Sequence, residues 1–137
     1  MNEEYSKDIE ILKHLSVLHV EDDTSVRESL MRFLKRRFDN IYTARDGAEG
    51  LELYKKHRPD IVITDIQMPV MDGIEMSRHI LSVNPDAIIV ITTAFNEKPF
   101  IEKAQELGII EYLKKPVIKE DLTNCLRKCA EKLDKKA

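Results

Sequence analysis

Five polar residues follow four short apolar runs of this chain, and their types are those of a metal-assisted reaction site. They are Glu21, Asp22, Asp65, Thr93 and Lys115. Carboxylates crowded into one pocket repel one another unless a cation lies among them. Three carboxylates, a hydroxyl and an ammonium therefore suit a hard divalent metal ion and a transferable phosphoryl group.

Each of these residues has a candidate role in that chemistry. An aspartate can attack phosphorus and form an aspartyl phosphate, which makes Asp65 the candidate nucleophile. Glu21 and Asp22, together with Asp65, would supply oxygen ligands to Mg²⁺. Lys115 would supply a second positive charge, and the Thr93 hydroxyl would donate a hydrogen bond to a phosphoryl oxygen.

Each residue alone also has an ordinary structural explanation. The acidic run Glu21-Asp22-Asp23 is typical of a helix start, where the macrodipole favours negative charge. Thr93 alone is more often a strand-end hydroxyl, and Lys115 alone a surface lysine. The joint occurrence of the required types at successive strand ends favours the chemical interpretation. His19, inside the first apolar run, is expected to be a hydrogen-bonded histidine of the core or a sheet face.

The hydrophobic pattern predicts a sheet that brings these strand ends together. Five predicted strands alternate with amphipathic segments: Leu15–Val20, Asn40–Ala44, Asp60–Thr64, Ala87–Thr92 and Ile109–Leu113. Three of the runs are almost continuously apolar, as in parallel strands buried on both faces. This alternation predicts a doubly wound α/β fold with a five-stranded parallel sheet. Ligands of such sheets bind outside the carboxyl ends of the strands.

Capping signals predict where the helices begin and end. Three helices are predicted to start at capping pairs, which are Ser25 with Glu28, Asp46 with Glu49, and Asp72 with Glu75. The fourth helix is predicted from about Glu97 to Leu107, with Pro99 in its first turn and Gly108 at its C-cap. The fifth is predicted to bury one stripe: Ile118, Leu122, Cys125, Cys129 and Leu133.

Composition excludes several classes of protein. The 137 residues, with 42% hydrophobic and 34% charged side chains, fit one ordinary globular domain. A net charge of −3 argues against direct nucleic-acid binding. Cys125 and Cys129 form neither a zinc set nor a disulfide framework, and are expected to be buried thiols. No signal peptide or apolar span of about 20 residues is present, which predicts a cytoplasmic protein without membrane contact.

The motifs together resemble the receiver domain of two-component response regulators. They are Val20-Glu21-Asp22-Asp23, Asp65 with Met68-Pro69, Thr93-Ala94, and Tyr112 before Lys115-Pro116. The resemblance implies a flavodoxin-like (βα)5 fold with strand order 2-1-3-4-5. It assigns residues 15–134 to the receiver domain and leaves residues 1–14 as an N-terminal extension. The spacing of Tyr5, Ile9 and Leu12 predicts a short helix in that extension.

The resemblance also implies a reaction and its metal site. Asp65 would accept a phosphoryl group from a histidine kinase or a phosphotransfer protein in a Mg²⁺-dependent reaction, with Lys115 and Thr93 completing the catalytic set. The implied metal ligands are Glu21, Asp22, Asp65 and the backbone carbonyl of Gln67. The protein would be a signalling switch rather than an enzyme, catalysing only its own phosphorylation and dephosphorylation.

A conformational switch completes what the resemblance implies. Thr93 and Tyr112 would couple phosphorylation to the face formed by the fourth helix, fifth strand and fifth helix, which controls an output domain or a partner protein. The peptide bond between Lys115 and Pro116 is expected to be cis. Ile110-Glu111 lacks the paired acids of subfamilies that dimerise symmetrically, which counts against that dimer and leaves a phosphorylation-dependent dimer open.

Other details of the sequence bear on its function. Glu21 lies at a position where the receiver domains that this chain resembles more commonly have aspartate. Phe95 is expected to shield the phosphoryl site. A haloacid-dehalogenase-like phosphatase would need a second aspartate where this chain has Gln67, which cannot serve as a general acid. A flavodoxin-like cofactor binder would need a phosphate-binding loop after the first strand, and none is present. The chain is either a single-domain regulator or a receiver from a longer protein.

Overall fold

The computed structural model describes residues 10–94 and 96–136, and a parallel sheet lies at its centre. The strands are β1 (Ser16–Val20), β2 (Asn40–Ala44), β3 (Ile61–Asp65), β4 (Ile88–Thr93) and β5 (Glu111–Lys114). Their order across the sheet is β2-β1-β3-β4-β5, and every neighbouring pair is parallel. The predicted doubly wound α/β fold and its strand order are confirmed.

A helix follows each strand. They are α1 (Thr24–Lys35), α2 (Gly47–His57), α3 (Gly73–Val83), α4 (Lys98–Glu106) and α5 (Lys119–Lys136). Within the described part of the chain, no helix is long and apolar enough to cross a bilayer.

Two apolar clusters cover the two faces of the sheet. The α1/α5 cluster joins Phe33 and Leu34 to Leu122 and Leu126, whereas the α2–α4 cluster contains Tyr54, Met76, Ile80 and Ala104. Successive side chains of a strand point to opposite faces. In β1, accordingly, Val17 belongs to the first cluster and Leu18 to the second. The sheet is therefore buried on both sides, as its continuous apolar runs predicted.

The end of the N-terminal segment packs onto the domain. Residues 10–12 are helical, and the Leu12 side chain is fully buried in the α1/α5 cluster. Tyr5 and Ile9, the other residues of the predicted extra helix, lie outside the described residues. Burial of Leu12 means that the sheet's hydrophobic core begins before β1.

The helix starts agree with the predicted caps at two places and differ at one. Asp46 and Asp72 cap α2 and α3 as predicted, because their side chains accept hydrogen bonds from the backbone N–H three residues later. The predicted cap at Ser25 is wrong. Asp23 caps α1, and its Oδ1 accepts from Val26 N at 3.0 Å. The helix α1 begins at Thr24, four residues after the end of β1, so Ser25 lies inside the helix and cannot cap it.

The end of α4 agrees with its predicted cap, whereas the start of α5 differs from its prediction. Gly108 has φ +89°, and the backbone N–H of Ile109 reaches back to the Ala104 carbonyl, which ends α4 in a Schellman arrangement. The prediction that Ile118 belongs to the buried stripe is wrong, because its side chain is 59% exposed. It precedes α5, so the helical periodicity does not apply to it. Cys125 and Cys129 are buried free thiols, as predicted.

Candidate functional site

The register of the sheet places the ends of four strands next to one another. Val20 lies opposite Thr64, Asp65 opposite Thr92, and Thr93 opposite Lys114. The polar residues at or just beyond these positions therefore share the carboxyl edge of the sheet, where ligands of doubly wound folds bind.

Three carboxylates meet at this edge. Glu21, Asp22 and Asp65 each place an oxygen within 4.8 Å of the others. Glu21 and Asp65 are buried, whereas Asp22 is exposed, so the cluster reaches solvent on one side. A cluster of hard oxygen donors, open to water, fits Mg²⁺, which keeps several of its own water ligands in protein sites.

Lys115 supplies the positive charge of the site. Its Nζ lies 2.7 Å from Asp65 Oδ2 and 3.3 Å from Glu21 Oε1. Burial by itself would lower the pKa of Lys115, but the hydrogen bond and charge of Asp65, with a further contribution from Glu21, raise it. The Lys115 backbone N–H donates to the Thr93 carbonyl at 2.8 Å, and the following bond to Pro116 is cis as expected. Lys115 is thus fixed at its backbone by Thr93 and at its ammonium group by Asp65 and Glu21.

The buried carboxylates differ in how they are held. Asp65 Oδ1 accepts a hydrogen bond from Ile66 N at 2.8 Å, and its other oxygen contacts Lys115. Burial raises the pKa of Glu21, and the charge of Asp65 adds to this, although the Asp23 N–H and Lys115 oppose the shift. A divalent cation in the cluster would favour the charged form of Glu21.

The loop after β3 approaches the site through its backbone. Gly73 N donates to the Ile66 carbonyl at 2.7 Å, and a Cβ atom at Gly73 would overlap the backbone oxygen of Asp65. Only glycine lets the start of α3 lie directly against the backbone of Asp65. The glycine after the cap residue Asp72 therefore has a packing reason.

Val70, in the same loop, has a backbone conformation that is costly for its residue type. Its φ is +70°, and its side chain is 84% exposed. The left-handed region disfavours β-branched residues, whereas asparagine tolerates it. We expect Val70→Asn to raise the free energy of unfolding by about 1 kcal/mol, as measured by urea denaturation. Val26→Asn, at an exposed position of helix α1, should change it by less than about 0.5 kcal/mol. A loss of stability in Val70→Asn would contradict this interpretation.

Thr93 lies at the edge as predicted, but its hydroxyl faces a residue that the sequence did not single out. The hydroxyl lies 3.2 Å from the Ala94 carbonyl oxygen and 3.4 Å from Glu97 Oε1. The Gln67 side chain donates to Glu97 Oε2 at 3.1 Å. The sequence pattern assigns Glu97 only to the start of α4. The sequence does contain a weak signal for its role: an acidic residue lies between the end of β4 and a helix with proline in its first turn.

The second residue of the predicted switch is half-buried. Tyr112 packs against the α2–α4 cluster, and its hydroxyl donates to the Ile109 carbonyl at 2.7 Å. Burial raises the pKa of Tyr112. The ring is therefore already partly covered in this structure, and inward movement would bury it further. Phe95, the predicted shield of the site, lies outside the described residues.

His19 is buried in the core as predicted, but one of its ring nitrogens differs from the prediction. The residue is 1% exposed, and its Nδ1 has no hydrogen-bond partner among the described residues. Burial, with smaller contributions from Arg27 and Lys115, lowers the pKa of His19 to about 3. The ring lines a cavity of about 620 Å³ between α1 and the start of α5. It is therefore a neutral core histidine, and its Nδ1 lacks the predicted hydrogen bond within the described part of the chain.

Comparisons with known proteins agree on one family. A family model described as "Response regulator receiver domain" matches residues 17–127. "Response regulator MprA" of Mycobacterium sp. (strain KMS) is 37% identical over 111 residues, which cover 81% of this chain and 48% of that protein. "Transcriptional regulatory protein PdtaR" of Mycobacterium tuberculosis (strain ATCC 25618 / H37Rv) is 38% identical over 107 residues, with coverages of 77% and 52%. The chain thus spans about half the length of these curated relatives.

A solved structure matches over almost its whole length. It is the N-terminal domain of an uncharacterized protein (WS1339) from Wolinella succinogenes, with 36% identity and a TM-score of 0.84. The match covers 90% of this chain and 99% of that one.

Proposed function

The chain belongs to the family of response regulator receiver domains of two-component systems, and we propose that it is a phosphorylation-dependent switch whose phosphoacceptor is Asp65. The observation that carries this proposal is the Asp65 carboxylate, which is 2.7 Å from Lys115 Nζ and clustered with Glu21 and Asp22. A nucleophile, a fixed cation and oxygen donors for a metal ion are the groups that phosphoryl transfer requires.

The reaction is a displacement at phosphorus. A carboxylate oxygen of Asp65 forms a bond to phosphorus, and the bond from phosphorus to the donor histidine nitrogen breaks, leaving its electron pair on that nitrogen. Mg²⁺, held by Glu21, Asp22, Asp65 and the Gln67 carbonyl, would neutralise charge on the transferring group. Lys115 balances the remaining negative charge, and the Thr93 hydroxyl donates to a phosphoryl oxygen. The donor is a histidine kinase or a phosphotransfer protein.

The signal leaves the domain on the face formed by α4, β5 and α5. Thr93 turns toward the phosphoryl group, and the Tyr112 ring moves deeper into the space that Thr93 leaves. This change would control an output domain or a partner protein, or a phosphorylation-dependent dimer. Residues 15–134 form the receiver domain. Residues 1–14 form its extension, whose end is anchored by the buried Leu12.

A titration with beryllofluoride and Mg²⁺, a mimic of the phosphoryl group, tests the proposal by NMR. We expect chemical-shift changes at Asp65 and its neighbours and, because the switch is coupled, also at Tyr112 and across residues 97–113. Mg²⁺ without beryllofluoride is the control. Shifts confined to the pocket would contradict the coupled switch. Absence of any beryllofluoride-dependent shift would contradict Asp65 as phosphoacceptor.

A further inference from the structure

A fourth carboxylate beside the site has no role in the chemistry proposed above. Glu97 is 3% exposed, and both of its carboxylate oxygens accept hydrogen bonds. Oε1 accepts from Ala94 N at 2.6 Å, and Oε2 accepts from the Gln67 side chain at 3.1 Å. The Thr93 hydroxyl lies 3.4 Å from Oε1. A buried carboxylate is tolerated only where donors compensate its lost hydration, and Glu97 collects them from two separate loops.

These donors come from the ends of β3 and β4, beside the predicted phosphoacceptor Asp65. Thr93 ends β4, and Gln67 follows Asp65 by two residues at the end of β3. Hydrogen bonds to a charged acceptor are about twice as strong as those between neutral groups, and the 2.6 Å contact to Ala94 N is short. Glu97 therefore presents anionic oxygens to hydroxyl and amide donors that flank the acidic cluster.

The position of Glu97 in the chain adds a second observation. It is the residue before α4, and its backbone carbonyl accepts from Phe100 N at 3.0 Å and from Ile101 N at 3.1 Å. Its side chain makes no capping hydrogen bond to its own helix. Shorter side chains at this position, such as aspartate or serine, normally cap the free N–H groups of the helix start. Here the side chain binds the loops around the reaction site instead.

We propose that Glu97 is a positioning residue that acts as an internal competitor of the phosphoryl group, an inference that rests on the proposed function. In the unphosphorylated protein its carboxylate holds the Ala94 amide and the Gln67 side chain, and the Thr93 hydroxyl lies 3.4 Å from it. A phosphoryl group on Asp65 brings new anionic oxygens to the same donors and repels the carboxylate, so the Glu97 side chain leaves. Because the backbone carbonyl of Glu97 also accepts the first hydrogen bonds of α4, movement of this residue would reach the start of that helix.

The variant Glu97→Gln tests this competition, with Glu102→Gln as its matched control. Glu102 is exposed on the same helix, so the control removes the same charge without touching the site. The amide is a weaker acceptor and does not repel an anion. We expect Glu97→Gln to bind beryllofluoride with Mg²⁺ about tenfold more tightly than the parent, and Glu102→Gln to bind like the parent. Equal or weaker binding by Glu97→Gln would overturn the competition.

A measurement on the parent keeps the proposal testable if Glu97→Gln does not fold. In the free protein, an NMR scalar coupling through the hydrogen bond should link the Ala94 amide nitrogen to the Glu97 carboxyl carbon, because that bond is short. The coupling should disappear when beryllofluoride and Mg²⁺ bind. A purely structural role of Glu97 predicts that this coupling persists on binding, and that result would overturn the proposal. If the parent binds no beryllofluoride, the proposed function fails and this inference fails with it. Failure of the competition alone leaves that binding intact.

Discussion

Asp65→Asn should gain no phosphoryl group from acetyl phosphate and Mg²⁺, whereas the parent should gain one that hydroxylamine removes. The amide has no anionic oxygen to attack phosphorus, and it also removes one of the three carboxylates of the acidic cluster. The loss should therefore be complete rather than partial. Intact-mass spectrometry after a fixed incubation measures the phosphorylated fraction directly.

The control for this experiment is a second aspartate replaced in the same way. Asp39 is exposed in the connection between α1 and β2, so Asp39→Asn should be phosphorylated like the parent. If Asp65→Asn acquires the hydroxylamine-sensitive adduct to the parental extent, another residue is the acceptor and the assignment of Asp65 is wrong.

Gly73→Ala should lower the free energy of unfolding by about 3 kcal/mol, near the upper end of the usual cost of overpacking. The added methyl group would overlap the Asp65 backbone oxygen and approach Thr64 Oγ1 at 3.1 Å. Backbone atoms of a central strand cannot move aside as a flexible side chain can. Relief therefore requires displacement of α3 from the sheet. Guanidinium chloride denaturation of parent and variant measures the difference.

Gly50→Ala is a matched comparison because it adds the same methyl group in the neighbouring helix. There the new Cβ would lie 2.7 Å from Met76 Sδ and 2.9 Å from Val20 Cγ2, which are side-chain atoms. Met76 can change its rotamer, and alanine favours the helix by about 1 kcal/mol over glycine. The expected loss is about 1 kcal/mol or less. A Gly73→Ala protein no less stable than Gly50→Ala would contradict direct contact between α3 and the Asp65 backbone.

The sequence by itself determined the sheet and the residues at its carboxyl edge. Continuous apolar runs separated by amphipathic segments permit few arrangements other than a parallel sheet with helices on both faces. Once that sheet is predicted, the residue after each run has a predictable place. Glu21, Asp65 and Lys115 could therefore be grouped before any distance was known, and the structure brings all three together.

Local capping was predictable only where the signal was unambiguous. Asp46 and Asp72 each stand alone before their helix, and both were predicted correctly. Before α1, by contrast, acidic and hydroxyl residues occupy positions 21–25 in succession, and any of several could serve as the cap. The end of β1 and the direction in which the chain leaves the sheet select Asp23. That direction is a property of the packed domain rather than of the local sequence.

Only the tertiary structure decided which buried polar groups have partners. His19 lies in a strand pattern that predicts burial but not a missing hydrogen bond at Nδ1, because that depends on helices packed from distant parts of the chain. Glu97 meets Gln67, which is 30 residues away, through a contact between two loops. Contacts between loops do not depend on a periodic pattern of apolar residues, so no spacing in the sequence predicts them. The acidic site could be inferred from strand ends, whereas the carboxylate that binds its neighbouring donors required three-dimensional structure.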